Sequence, residues 1–306
     1  MGPRPSLGRR WRSAAEAATV ALLLWVARWL PRSVLLALGA TTGELVYRLD
    51  RKHTRVAFDN LAHAFGDALP LSERRRIVRA CWRHYGRISA DAAIFRRLGP
   101  DDVGTRIRYE GLDALREAYG EGKGVLLISG HFGHWELTAY MQGFLGCPLL
   151  LITKPMGNPR VEAMLAGLRS GSGNEIVAKV DAVRAALRGL ARGIGVAVMI
   201  DQDARGSGIF VPFFGRPSST IATVGTLHVR TGAAVVATFS YPEPNGTWRI
   251  AYERLAFPGL TGDRERDVFR ITAETTALLE SKIRERPELW LWMHRRWKTP
   301  PPAATA

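Results

Sequence analysis

The run Gly124-Val-Leu-Leu-Ile-Ser129, which leads straight into Gly130-His131-Phe132-Gly133-His134-Trp135-Glu136, constrains this chain more than any other feature. An unbroken apolar run bounded by glycines is what a strand buried on both faces requires, because none of its side chains can alternate toward water. Further strands are expected at Leu149 to Thr153, Gly195 to Ile200, Ala234 to Tyr241 and Trp248 to Glu253, with helical stretches between several of them. Pro159 opens one helix, over Arg160 to Arg169, and Asp181 is placed to cap another, Ala182 to Arg192. Strands alternating with helices predict an α/β fold: a mixed, largely parallel sheet with helices on both faces.

Ahead of this region the grammar is helical. Val56, Leu61 and Phe65, then Ile77, Cys81 and Ile88, recur at intervals that give buried faces, and Leu71-Ser72-Glu73-Arg74 after Pro70 reads as a helix start. The first fifty residues place a basic leader (Arg4, Arg9, Arg10, Arg12) before an apolar run from Ala17 to Ala27, which Arg28 and Pro31 separate from a second run, Val34 to Leu38. A bilayer core needs roughly 20 mostly apolar residues, so the first run is short for a span. A cleaved signal, a single span and an interfacial helix with Trp25 and Trp29 at head-group depth compete, alongside an ordinary buried helix. The expected division is a membrane-associated leader over 1–50, a helical subdomain over 51–119, a catalytic core over 120–298 and a disordered tail over 299–306.

A formal charge of +15, from 43 Lys and Arg against 28 Asp and Glu, directs the surface toward anionic partners: acidic lipid head groups, an acidic carrier protein or nucleic acid. No nucleic-acid-binding module is recognisable, so nucleic acid is not expected as a partner. Cys81 and Cys147 lie apart, without CxxC spacing, which gives a disulfide framework or a cysteine-based zinc site little support.

Chemistry concentrates where the first strand ends, as α/β proteins require. With His131 still in the turn and Glu136 in the first helical turns, the two side chains can converge, giving an imidazole oriented and made more basic by a carboxylate. Such a pair removes the proton of an alcohol as it attacks a carbonyl carbon, with no serine or cysteine nucleophile. A purely structural pair is the bland alternative. A metal site from His131, His134 and Glu136 is the sharp one, although the spacing is not HExxH and no distant fourth ligand announces itself. Asp201 and Gln202, at the end of an expected strand, face the same cleft or merely cap the strand. Trp290, Trp292 and Trp297 read as core beside a solvated rim of His294, Arg295, Arg296 and Lys298.

His131-Phe-Gly-His-Trp-Glu136 resembles the H-x4-D/E signature of the lysophospholipid acyltransferase superfamily, in the form found in the bacterial lipid A late acyltransferases. The likeness continues in Asp201-Gln202-Asp203 with Phe210-Val-Pro-Phe-Phe-Gly215, in Pro287-Glu-Leu-Trp-Leu-Trp-Met-His-Arg-Arg-Trp-Lys298, and upstream in Arg55-Val-Ala-Phe-Asp-Asn60-Leu with Phe65. The resemblance implies a glycerol-3-phosphate acyltransferase-like fold and transfer of a fatty acyl group to a hydroxyl of a lipid A precursor, with His131 as base and Glu136 as its orienting carboxylate. It also implies acyl carrier protein or acyl-coenzyme A as donor, an anionic glycolipid acceptor, no metal or redox cofactor, and the bacterial inner membrane with the catalytic domain facing the cytoplasm. Another glycolipid acceptor, such as a phosphatidylinositol mannoside, is the near alternative; a non-catalytic basic membrane- or nucleic-acid-binding protein is the distant one. Lys154, Arg205 and Arg216 are the cations expected to meet phosphate or carrier, the last two flanking a mobile loop along an acyl groove. His134 stands where an Asn is usual and is expected to point to solvent.

Overall fold

The structure, a computed structural model, describes residues 7–153, 157–178 and 182–302. Seven strands form one sheet: β1 (Ile107–Glu110), β2 (Val125–Ser129), β3 (Leu149–Thr153), β4 (Glu175–Ala178), β5 (Gly195–Met199), β8 (Ala234–Pro242) and β9 (Trp248–Leu255). Their order is β1-β9-β8-β2-β5-β3-β4, and every neighbouring pair is parallel except β8 with β9. The expected mixed, largely parallel α/β sheet is therefore what forms. β2 lies at its centre and is buried at every residue, as its unbroken apolar run demands.

The alternation of β2 divides the core in two. Leu126 and Ile128 join one cluster with α8 (Ala182–Ala191), α9 (Thr223–Thr231) and α10 (Arg264–Glu285), whereas Val125 and Leu127 join another with α5 (Leu112–Gly120) and α6 (Trp135–Phe144). Helices thus cover both faces of the sheet, and backbone pairing within it satisfies the groups that burial removes from water.

Two strands lie outside the sequence expectations. β1, inside the stretch read as helical over 51–119, pairs in parallel with β9, and β4 forms the far edge. Both are four residues long and lie at the sheet edges, too brief for periodicity to register. The segment between Arg205 and Arg216, read as a mobile loop, instead forms most of an antiparallel hairpin, β6 (Ile209–Phe213) with β7 (Arg216–Thr220). Phe213 and Phe214 are buried against Trp290, Trp292 and Trp297, so aromatic packing fixes the segment.

The chain begins with α1 (Leu7–Ala27), α2 (Arg32–Leu49), α3 (Arg51–Phe65) and α4 (Leu71–Ala92), the last starting where Pro70 places it. α2 and α4 touch backbone to backbone, since a Cβ on Gly86 would lie 2.0 Å from the Gly39 carbonyl oxygen. Among the described residues no helix is long and apolar enough to cross a membrane. The break at Arg28 to Pro31 ends the apolar run of α1, and Leu22, Leu23, Trp25, Trp29 and Leu38 remain exposed.

Candidate active site

Parallel register brings the site together. β2 and β5 are neighbours with Ser129 opposite Met199, and the Ile200 amide donates to the Ser129 carbonyl at 2.9 Å. Each chain then leaves the sheet in step, so His131 and Asp201, each two residues beyond that pair, meet side by side. The Asp201 carboxylate lies 2.9 Å from His131 Nδ1 through Oδ1, and Oδ2 accepts the His131 amide at 2.7 Å and the Trp290 indole N–H at 2.9 Å. Asp201 is buried, and these donors are what make a buried carboxylate tolerable. An ionised carboxylate can only accept, so the proton of the neutral imidazole sits on Nδ1 and Nε2 keeps its lone pair.

The electrostatics follow. Burial pushes the Asp201 pKa up, but His131 and the remaining donors more than reverse this, holding it down to about 2. Burial likewise lowers the His131 pKa, and the adjacent Asp201, with a smaller contribution from Glu136, overrides it and raises it above the ordinary histidine value. Glu136 is not hydrogen-bonded to the imidazole: Arg169 of α7 (Pro159–Arg169) holds its carboxylate at 2.6 and 2.9 Å. The carboxylate in contact with His131 is therefore Asp201. Glu136 lies inside the first turn of α6, where its side chain faces α7 and it acts on the imidazole through space only.

The turn that presents His131 is pinned from three sides. Its carbonyl accepts from the Tyr85 hydroxyl at 2.6 Å and the Leu291 amide at 3.1 Å, and the Gly133 carbonyl accepts from His84 Nε2 at 3.0 Å. Gly133 has φ +59°, and a Cβ there would lie 1.9 Å from the Ser240 carbonyl oxygen, so only glycine fits. Asn60 of α3 donates to the carbonyls of Trp292 and His294 at 2.7 and 2.6 Å, while Arg296, fully buried rather than on a solvated rim, donates to the Ser219 carbonyl at 2.6 Å. The four sequence blocks around Asn60, His131, Asp201 and Trp290 thus converge on one place.

Two cavities meet beside it. An apolar groove of about 900 Å³ runs between α1, α2 and α4 past Leu24, Leu35, Val46 and Trp82 to Tyr85 and Leu291, the two residues bonded to the His131 carbonyl. A polar cavity of about 1020 Å³ is bordered by Lys52, Gln202, Asp203, Arg205, Arg295 and Lys298. His53, Met293 and His294 line both.

Residues 9–299 match the family model described as bacterial lipid A biosynthesis acyltransferase. The chain belongs to that family. Membership makes it an O-acyltransferase. It is 25% identical over 286 residues to the lipid A biosynthesis lauroyltransferase of Escherichia coli (strain K12), covering 91% of this chain and 90% of that one. A lipid A biosynthesis palmitoleoyltransferase of the same organism is also 25% identical, over 280 residues with the same coverage. More distantly, a phosphatidylinositol mannoside acyltransferase of Mycolicibacterium smegmatis is 23% identical over 245 residues, 78% of this chain and 77% of that one.

Within this acyltransferase, the other residues singled out by sequence fall as follows. Gln202 and Arg205 border the polar cavity, and Arg205 adopts φ +57°, uncommon for a residue with a side chain. Arg216 is exposed at the start of β7, away from both cavities, and Lys154 and the proposed cap Asp181 lie outside the described residues. The three ligands of the hypothetical metal site point to separate surroundings, His131 to Asp201, Glu136 to Arg169 and His134 into the core. That last placement corrects the expectation of a solvent-facing His134. The residue is the N-cap of α6, where Nδ1 accepts the Leu137 amide at 3.3 Å, and the ring packs against Trp248 and Phe95.

Burying two histidines has a measurable consequence. Burial lowers the pKa of His84 to about 4 and of His134 to about 3, so both stay neutral in the fold and bind protons once unfolded. Their contribution to stability is intact above the unfolded value near 6.5 and is lost as pH falls toward the folded values. At pH 5 each costs about 2 kcal/mol. His134→Asn preserves the cap and removes one titration. Thermal unfolding of the variant should therefore lose about 2 kcal/mol less stability than wild type between pH 7 and pH 5, and equal losses would reject the assignment.

Proposed function

We propose that this acyltransferase moves a fatty acyl group from an acyl thioester, carried by acyl carrier protein or coenzyme A, to a hydroxyl of a lipid A precursor, with His131 as general base. The observation that supports it most directly is the His131–Asp201 pair, whose immediate neighbours line an apolar groove (Tyr85, Leu291) and a cationic cavity (Gln202). The groove suits the acyl chain and the cavity suits the charged part of donor or acceptor, with Gln202, Arg205 and Lys52 as contacts; Lys154 is proposed as a further phosphate contact and Arg216, away from both cavities, as a contact for the carrier. His131 Nε2 takes the acceptor's hydroxyl proton as its oxygen bonds to the thioester carbonyl carbon, and the C–S bond then breaks with that proton passing to the thiolate. The Trp135 and Glu136 amides at the start of α6, which remain once His134 caps the Leu137 amide, supply donors for the oxyanion. Glu136 adds negative potential and fixes Arg169.

The same reading places the protein at the bacterial inner membrane with its site toward the cytoplasm, attached through the exposed apolar side chains of α1 and α2, such as Leu22, Trp25 and Leu38, and without a nucleic-acid partner. Similarity to the mannoside acyltransferase favours a second glycolipid acceptor as the alternative. The test is transfer of a labelled acyl group from acyl carrier protein and from coenzyme A, in detergent, to a lipid A precursor and to a phosphatidylinositol mannoside in parallel. Turnover confined to the lipid A precursor is the expected result. Turnover confined to the mannoside would overturn the acceptor, and turnover from coenzyme A alone would identify the donor.

A further inference from the structure

On a face of α4 adjoining the apolar groove, and bordered like it by α2, lies a second cleft of about 760 Å³ whose cations the acyl-transfer site does not use. Arg75, Arg79, Arg83 and Arg87 follow one another at i, i+4 along that helix, so all four face one way, and Arg48 of α2 and Arg286 close the sides. Like charges at this spacing repel and weaken a helix. Glu288 in the same lining holds Arg286 at 2.7 Å, but along the stripe compensation is thin: Glu44 alone serves Arg48, Arg79 and Arg83, at 3.2, 2.7 and 3.7 Å. Arg75 and Arg87 have no carboxylate partner among the described residues. A stripe that opposes local helix stability and is concave acts as a site for an external anion, and planar guanidinium forks match the oxygens of phosphate.

The surroundings indicate where that phosphate comes from. On α2, Val34, Leu38, Leu45 and Leu49 form an exposed apolar stripe beside Arg48. A helix lying in a bilayer surface buries such a stripe at the acyl boundary and sets flanking cations at head-group depth. We propose that this arginine cleft binds the phosphate of an anionic lipid head group at the membrane surface, which rests on the membrane attachment proposed above.

The full chain would be floated with vesicles of phosphatidylcholine alone, of phosphatidylcholine with phosphatidylglycerol, and of phosphatidylcholine with oleate at matched charge. The cleft variant Arg75→Gln/Arg83→Gln/Arg87→Gln would be compared with a charge-matched control on distant surfaces, Arg230→Gln/Arg264→Gln/Arg266→Gln. With about fivefold per surface cation, the cleft variant should bind phosphatidylglycerol vesicles roughly 100-fold less tightly than wild type, and the control much less affected. Equal losses in the two variants, or no loss in either, would overturn the site. Oleate binding equal to phosphatidylglycerol would overturn the phosphate, and full competition by free glycerol 3-phosphate would replace the lipid with a soluble phosphate compound. A cleft variant that keeps its vesicle binding but loses acyl carrier protein would reassign the cleft to an acidic protein. Wild type that binds neutral vesicles with no preference for phosphatidylglycerol sinks the cleft alone, whereas wild type that binds no vesicle sinks membrane attachment with it.

Discussion

His131→Ala is expected to lower the rate of acyl transfer by roughly 10²–10⁴-fold, the range a positioned general base supplies. The acceptor hydroxyl is a poor nucleophile while it keeps its proton, and His131 Nε2 is the lone pair that the Asp201 hydrogen bond leaves available at this strand end. The loss should fall on kcat, because the groove that holds the chain is lined by other residues. Folding should survive, since the turn is pinned through the backbone carbonyls of His131 and Gly133 rather than through the imidazole. Steady-state transfer with circular dichroism as the folding control decides the matter. A well-folded variant that keeps a tenth of wild-type turnover would remove His131 from the role of base.

What could be read from the sequence, and what could not, divides along local and long-range lines. The strand Val125–Ser129, the turn after it and the helices opening at Leu71 and Pro159 were legible because burial period, glycine and proline act within a few residues. The partner of His131 was only half legible. Glu136 is near in sequence and Asp201 is not, and only the register of β2 against β5 reveals that residues 131 and 201 leave the sheet together. A chain-local argument therefore favours the carboxylate five residues away, which in the fold turns to Arg169. The signal that pointed elsewhere was the position of Asp201 at the end of an expected strand. His134 escaped for a related reason: exposure preferences describe an average histidine, and they carry no information about Phe95 and Trp248 closing over this one. β6 and β7 were hidden because glycine-rich aromatic sequence marks loops and tight hairpins alike, and the choice is made by the Trp290 to Trp297 segment that packs on them.

Asp201→Asn should reduce kcat by a comparable roughly 10²–10⁴-fold, and its pH profile should separate it from a merely structural loss. In the wild type the His131 pKa is raised, with Asp201 overcoming the lowering effect of burial, so the active neutral imidazole accumulates at higher pH than in an ordinary histidine. An amide removes the negative charge while the burial remains. The His131 pKa then falls, and the ascending limb of kcat/KM moves to lower pH even though the plateau is much lower. An amide also presents its own N–H groups where the His131 amide and the Trp290 indole already donate, so part of the loss comes from a turned or displaced imidazole. Glu136→Gln should move the limb in the same direction but less far, because its charge reaches His131 through space and ranks behind both Asp201 contributions. Rates measured from pH 5 to 9 for the three proteins make the comparison. A limb that stays in place in Asp201→Asn and moves in Glu136→Gln would return the orienting role to Glu136, and with it the arrangement that proximity in sequence favours.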